Sequence, residues 1–197
     1  MAGNSRLTVA VHALCWLALA RRHGHPGLTS DQIAASLDSN PVAVRRALGP
    51  LRDAGLVTAG LGPGGGWSLG RPAAGITLAD VYAVVEPGAV FALHPHRPSQ
   101  ECPVGYGIGP VLEDIYDGVA RAVAGELSRH TIDHLLDTLL STHPLPTEWA
   151  GIPDAGDRPA QRPTAARAGA GAAAGAGAAS GRPGAVPGGP TAAAPGS

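Results

Sequence analysis

Lysine is absent from these 197 residues, and all fourteen cationic side chains are arginines. A GC-rich genome accounts for this, because the same bias favours the abundant alanine, glycine and proline. Only two cysteines are present, Cys15 and Cys102. They are too few for a disulfide framework and fit a reducing compartment. No apolar run approaches the length needed to cross a bilayer, and no charged segment followed by a cleavage site opens the chain, so a cytoplasmic location without membrane partners is expected. The net charge of −1 is too close to zero to identify a partner by itself.

What charge there is lies unevenly. Residues 1–85 carry +3, residues 86–143 carry −5 and the remainder +1. A mildly basic front and an acidic back fit a DNA-reading head on a dimerising body. From about Pro144 to Ser197 the sequence is Ala, Gly and Pro with scattered Arg. Such a segment has few large apolar groups to offset its ordering entropy, so a disordered tail is expected. An alanine-rich helix is the competing reading, opposed by the interspersed glycines and prolines.

Residues 5–20 read as a helix that is apolar nearly all round, through Leu7, Val9, Val11, Leu14, Cys15, Trp16, Ala18 and Leu19, and such a helix is buried. Cys15 and His12 are then structural. Beyond it, Thr29 with Gln32 spells a capping box, followed by Ile33, Ala34 and Leu37 at helical spacing. Asp38-Ser39 breaks this helix, and Asn40 with Pro41 starts a second one as N-cap and first-turn proline. Val42, Val44, Leu48 and Leu51 can face inward, leaving Arg45, Arg46 and Arg52 on other faces, and Gly55 ends the helix near Ala54. Leu56-Val57-Thr58 and Trp67-Ser68-Leu69 are strand-like runs joined by the glycine-rich stretch Gly60 to Gly66. Helix, turn, helix, hairpin is a winged helix-turn-helix, whose second helix enters a DNA groove. The expected fold is therefore mainly α with a small β wing, plus a long C-terminal dimerisation helix. Gly60, Gly62 and Gly65 also match G-x-G-x-x-G, but a strand rather than a helix follows, which excludes dinucleotide binding.

The chain resembles the Rrf-two family of bacterial transcriptional regulators. The likeness rests on Asn4-Ser5-Arg6-Leu7, on Leu51-Arg52-Asp53-Ala54-Gly55-Leu56-Val57, on the Gly62-Pro63-Gly64-Gly65-Gly66-Trp67 wing and on Ile76-Thr77-Leu78. Leu93-His94-Pro95-His96 and Cys102-Pro103-Val104-Gly105 resemble a cluster-free branch of that family, and the match covers roughly residues 4–140. The resemblance implies a homodimeric repressor that binds double-stranded DNA. The implied contacts are Thr29 and Ser30, then Asn40, Pro41, Val42, Arg45 and Arg46 on the second helix, Gly62, Gly64 and Gly65 in the wing, and Arg71 as a nearby cation for phosphate. Relatives often carry an arginine at the wing tip where this chain has Leu61. Relatives also sense iron–sulfur clusters, nitric oxide or redox state through three cysteines between wing and dimerisation helix. Here the segment from Glu86 to Pro110 holds only Cys102, so no iron–sulfur cluster or other cofactor is expected.

Thr77 caps a short helix, Leu78 to Val85, which Pro87-Gly88 terminates. His94, His96 and Cys102 follow in a proline-stiffened connector with no evident fourth ligand, so no metal is expected. Cys102 precedes Pro103 and can cap a helix start, where the helix dipole favours thiolate chemistry and makes it a candidate sensor. Gly105, Gly107 and Gly109 leave open a start at Pro110 and a passive thiol. From Ile108, a stripe of Ile108, Leu112, Ile115, Val119, Val123 and Leu127 describes a long amphipathic helix suited to a partner subunit. Ile132, Leu135, Leu136, Leu139 and Leu140 make a last short helix after Thr131.

These readings divide the chain into a DNA-binding domain (1–86), a connector with dimerisation helices (87–143) and a tail (144–197). They describe a non-enzymatic, homodimeric regulator, thiol-responsive through Cys102, on a palindromic operator with half-sites about one turn apart. Two alternatives stay open: a thiol enzyme or electrophile scavenger using Cys102, and a winged-helix protein-interaction module without DNA affinity.

Overall fold

The apolar first helix, α1 (Arg6–Arg22), lies at the centre of the fold, with Ala10, Ala13, Leu14, Leu17, Ala18, Leu19 and Ala20 all buried. The computed structural model describes residues 5–60, 62, 65–146 and 151–152. Around α1 pack elements from both ends of the described sequence, which burial of an all-apolar helix requires. Cys15 and Trp16 are half-buried against this core.

Helix α2 (Ser30–Ser36) opens with the capping box: Thr29 Oγ1 accepts from the Gln32 amide at 3.2 Å, and the Thr29 amide donates to Gln32 Oε1 at 2.7 Å. The turn passes through Asp38, whose φ of +46° reverses the chain. Asn40 then caps α3 (Pro41–Asp53) by accepting from the Ala43 amide at 2.8 Å. Val44, Leu48 and Leu51 of α3 are buried. Val42 is 57% exposed, correcting the expectation that it could face inward. It lies on the opposite side of the helix from the other three. Pro50 lies inside α3 without ending it, and buried Leu51 beyond it keeps the last turn on the core.

The hairpin pairs β1 (Val57–Gly60) with β2 (Gly66–Leu69), antiparallel, with Val57 opposite Leu69 and Gly60 opposite Gly66. Leu28, which the sequence left in a loop, exchanges two backbone hydrogen bonds with Trp67 at 2.7 and 2.8 Å and lies alongside β2. This crossing needs glycine at position 66: a Cβ there would stand 2.6 Å from the Leu28 carbonyl oxygen, at a φ of +145°. A 3₁₀ turn (Ala73–Gly75) leads to α4 (Leu78–Val85), capped by Thr77 and Asp80.

Helix α5 (Pro103–Ser128) starts five residues before the expected stripe, with Cys102 as N-cap, and runs through Pro110. No residue of this 26-residue helix is buried within the chain, although one side lies against α4. Helix α6 (Ile132–Thr142) does not continue the dimerisation region. It returns to α1, burying Ile132 and Leu136 in the main core. Two clamps hold it there. Ile132 and Leu78 amides bond to Ile76 and His130 carbonyls, and Arg22 pairs with Asp133 at 2.7 Å and Asp137 at 2.6 Å.

The core also reaches into the segment expected to be a tail. Ile152 is 7% exposed and joins the same apolar cluster. The rest of that expectation, residues 147–150 and 153–197, lies outside the described residues. Ile152→Ala is expected to cost about 2 kcal/mol, the low end for a buried isoleucine, because a segment joined on few sides can settle into the gap. Thermal denaturation checks this, and an unchanged midpoint would mean that Ile152 does not pack.

Candidate nucleic-acid interface

The face of α3 turned away from the core carries the groups that chemistry would choose for DNA. Arg45 and Arg46 are both exposed. Among the described residues they make no hydrogen bond or ion pair, whereas Arg6, Arg22, Arg52, Arg71 and Arg129 each hold a carboxylate and Arg97 bonds to Gln100. An unpaired guanidinium keeps its full set of donors for phosphate or guanine. Asp53, at the far end of the helix, accepts from Arg52 at 2.8 and 3.0 Å, which offsets its repulsion of a polyanion.

Each other expected contact has a definite place. Thr29 uses its oxygen in the capping box but keeps its hydroxyl proton, and Asn40 keeps its amide hydrogens while its oxygen caps α3. Pro41 forms the first turn of α3. Ser30 Oγ accepts from Trp67 Nε1 at 3.0 Å, so the wing strand and α2 are tied by one bond and the serine proton points elsewhere. Sequence reasoning missed Trp67 in this role, since only folding brings positions 30 and 67 together. In the wing, Gly62 has a φ of +87° and its carbonyl accepts from the Gly65 amide at 2.8 Å, a tight reversal that only glycine makes without strain. Gly64 and Leu61 lie outside the described residues.

Arg71 has a partner the sequence did not reveal. Its guanidinium binds Asp80 at 2.8 Å, which also receives the Thr77 amide and hydroxyl. Burial pushes the Asp80 carboxyl up, but the Thr77 hydrogen bonds and the Arg71 charge outweigh it and hold the group below its ordinary value. Arg71 therefore braces the start of α4.

The two thiols differ. Cys15 sits half-buried in α1, and burial pushes its pKa up to about 11. Cys102 is exposed, and its Sγ accepts from the Gly105 amide at 3.5 Å as the cap of α5. The described residues bring together no group of three or more His, Cys, Asp or Glu able to hold a metal, and His94 and His96 are exposed. One capping thiol and one thiol on another helix do not fit the mostly thiolate ligand set of an iron–sulfur cluster. In the folded protein at neutral pH, Cys102 is expected to alkylate at least about tenfold faster than Cys15, because the thiolate is the nucleophile. Mass spectrometry of an iodoacetamide time course reads this, and equal rates would refute it.

On α5 the expected seam splits into two rows. Ile108, Leu112, Val119 and Val123 are half-buried on the side that includes Tyr116, whose ring lies 5.1 Å from that of Phe91. Ile115 belongs to the second row, with Val104 and Val111, at 54, 66 and 57% exposure. No helix among the described residues is long and apolar enough to cross a membrane.

A family model described as Rrf2, iron-dependent transcriptional regulator, matches residues 4–138. The chain is 35% identical over 137 residues to YwnA of Bacillus subtilis, assigned as an HTH-type transcriptional regulator, covering 69% of this chain and 98% of that protein. It is similar to a crystal structure assigned as a DNA-binding protein, at 32% identity and a TM-score of 0.53, covering 67% of this chain and 99% of the other. A crystal structure from Lactobacillus plantarum, assigned as a transcriptional regulator, has a TM-score of 0.59 at 26% identity over 71% of this chain and 91% of its own.

Proposed function

The chain belongs to the Rrf2 family of transcriptional regulators, and we propose that it acts as a homodimeric, sequence-specific repressor in the cytoplasm, without an iron–sulfur cluster and without catalytic activity. One observation carries the reading: two adjacent arginines without protein partners stand on the outward face of α3, in a helix-turn-helix whose inner face is fully packed. Solvated surface arginines need no such framework. Here α2 and the Trp67 tie hold α3 beside the wing, so the helix can enter a major groove as a rigid unit.

The dimer would form through the exposed row on α5. Two-fold symmetry then places two α3 helices on successive grooves, and the operator is a palindrome with half-sites about one turn apart. Cys102 sits at the junction of connector and α5, where added bulk or charge would disturb that spacing, and this supports a thiol-responsive repressor. A thiol enzyme is disfavoured, because the one hydrogen bond that Cys102 Sγ makes among the described residues is to a backbone amide and not to a base. The test is a gel shift with the promoter of the protein's own gene. A salt-sensitive complex that unlabelled promoter competes and unrelated DNA does not is the expected result. Equal competition by any DNA would overturn sequence specificity.

A further inference from the structure

Which of the two arginines reads a base follows from their bearing on α3. At 100° per residue, with the core direction set by Val44, Leu48 and Leu51, Val42 lies about 150° round the helix and Arg46 about 190°. Arg45 lies only about 90° round, on the flank it shares with the paired Arg52. Val42 and Arg46 are therefore the pair facing straight out. They stand one turn apart, with Cβ atoms about 5–6 Å from each other, a spacing that spans neighbouring base pairs. Gly49, the next residue along that face, has no neighbour within 4 Å of a notional Cβ, so nothing bulky holds the helix off the groove floor at that point.

Two chemistries then sit side by side. Val42 is a large apolar side chain left 57% exposed by a fold that buries every other aliphatic residue of α3 larger than alanine. In a major groove the apolar group that matches it is the C5-methyl of thymine. Arg46 has no hydrogen bond or ion pair among the described residues, and its fork matches guanine O6 and N7. We propose that Val42 and Arg46 read a thymine and a guanine on neighbouring base pairs of each half-site, while Arg45 clasps the sugar–phosphate edge. This rests on the DNA-binding reading above and adds to it the base chemistry and the division of labour between the arginines.

The experiment is selection from a random duplex library by the full-length chain and by its Arg46→Ala, Arg45→Ala and Val42→Ala variants, followed by affinities on the selected site. The original chain is expected to enrich a palindrome with a guanine beside a thymine in each half. Arg46→Ala should lose preference for that guanine alone, by about 10–100-fold against the other bases. Arg45→Ala should weaken all sequences alike and lower the slope of log affinity against log salt by about 1. Replacing the thymine by deoxyuridine removes only the methyl group. It should weaken binding severalfold for the original chain and leave Val42→Ala unchanged. If the guanine preference vanishes with Arg45 and persists without Arg46, or if deoxyuridine affects both proteins equally, the assignment is overturned while DNA binding stands. If no sequence is enriched, the assignment and the DNA-binding reading fall together. Circular dichroism of each variant confirms that the fold is kept, as expected for three exposed positions.

Discussion

Ile115→Glu is expected to turn the dimer into a folded monomer with little operator affinity. Ile115 is 54% exposed within one chain, between Val111 and the small residues Gly118 and Ala122 on the same row of α5. Burying three large side chains of that row from each protomer stabilises association by about 1.5–3 kcal/mol apiece before entropy costs. A glutamate near a two-fold axis meets its symmetry mate, so each protomer loses an apolar contact and gains a desolvated like charge. The combined effect is expected to exceed about 3 kcal/mol, or more than about a hundredfold in the dimer dissociation constant. Operator binding then falls because a monomer grips one half-site. The fold should survive, since α5 contributes no buried residue to the core. Sedimentation velocity and gel shift read the two effects together. A dimer that persists at micromolar concentration in the variant would place the interface elsewhere, and a monomeric original chain would remove it altogether.

Arg45→Ala with Arg46→Ala in one chain is expected to abolish specific binding at physiological salt. A lost bidentate base contact costs about 1–3 kcal/mol, and a dimer makes it twice. Loss of two phosphate clasps per dimer adds an electrostatic deficit that grows as salt rises. The total is about 3–6 kcal/mol, a fall of at least a hundredfold, measured by fluorescence anisotropy over a salt series. Stability should stay within about 0.5 kcal/mol, because neither arginine has a protein partner among the described residues. Undiminished affinity would take α3 out of the interface.

The features legible in the sequence share one property: their signals act within a few residues. Thr29, Asn40, Thr77 and Thr131 were each readable as helix starts, and each accepts from the amide three positions on. The hairpin was readable from two short apolar runs around glycine. Where local signals conflicted, the boundary was less legible. Cys102-Pro103 signals a helix start, yet three glycines and Pro110 argue against one, and the conflict resolves in favour of helix because α5 packs along α4.

Composition, caps and periodicity thus determined a winged helix-turn-helix followed by a long amphipathic helix, since N-caps and apolar stripes are written in neighbouring positions. The tertiary structure decided what distant positions do to one another. It turned Val42 outward because Val44, Leu48 and Leu51 already filled the inward side. It gave Arg71 to Asp80, joined Trp67 to Ser30 and laid Leu28 along β2. It also brought α6 back to α1, with Arg22 and Asp137 meeting across 115 positions, and drew Ile152 into the core. Each of these pairings depends on the whole chain's burial of apolar surface, which no window of neighbouring residues contains.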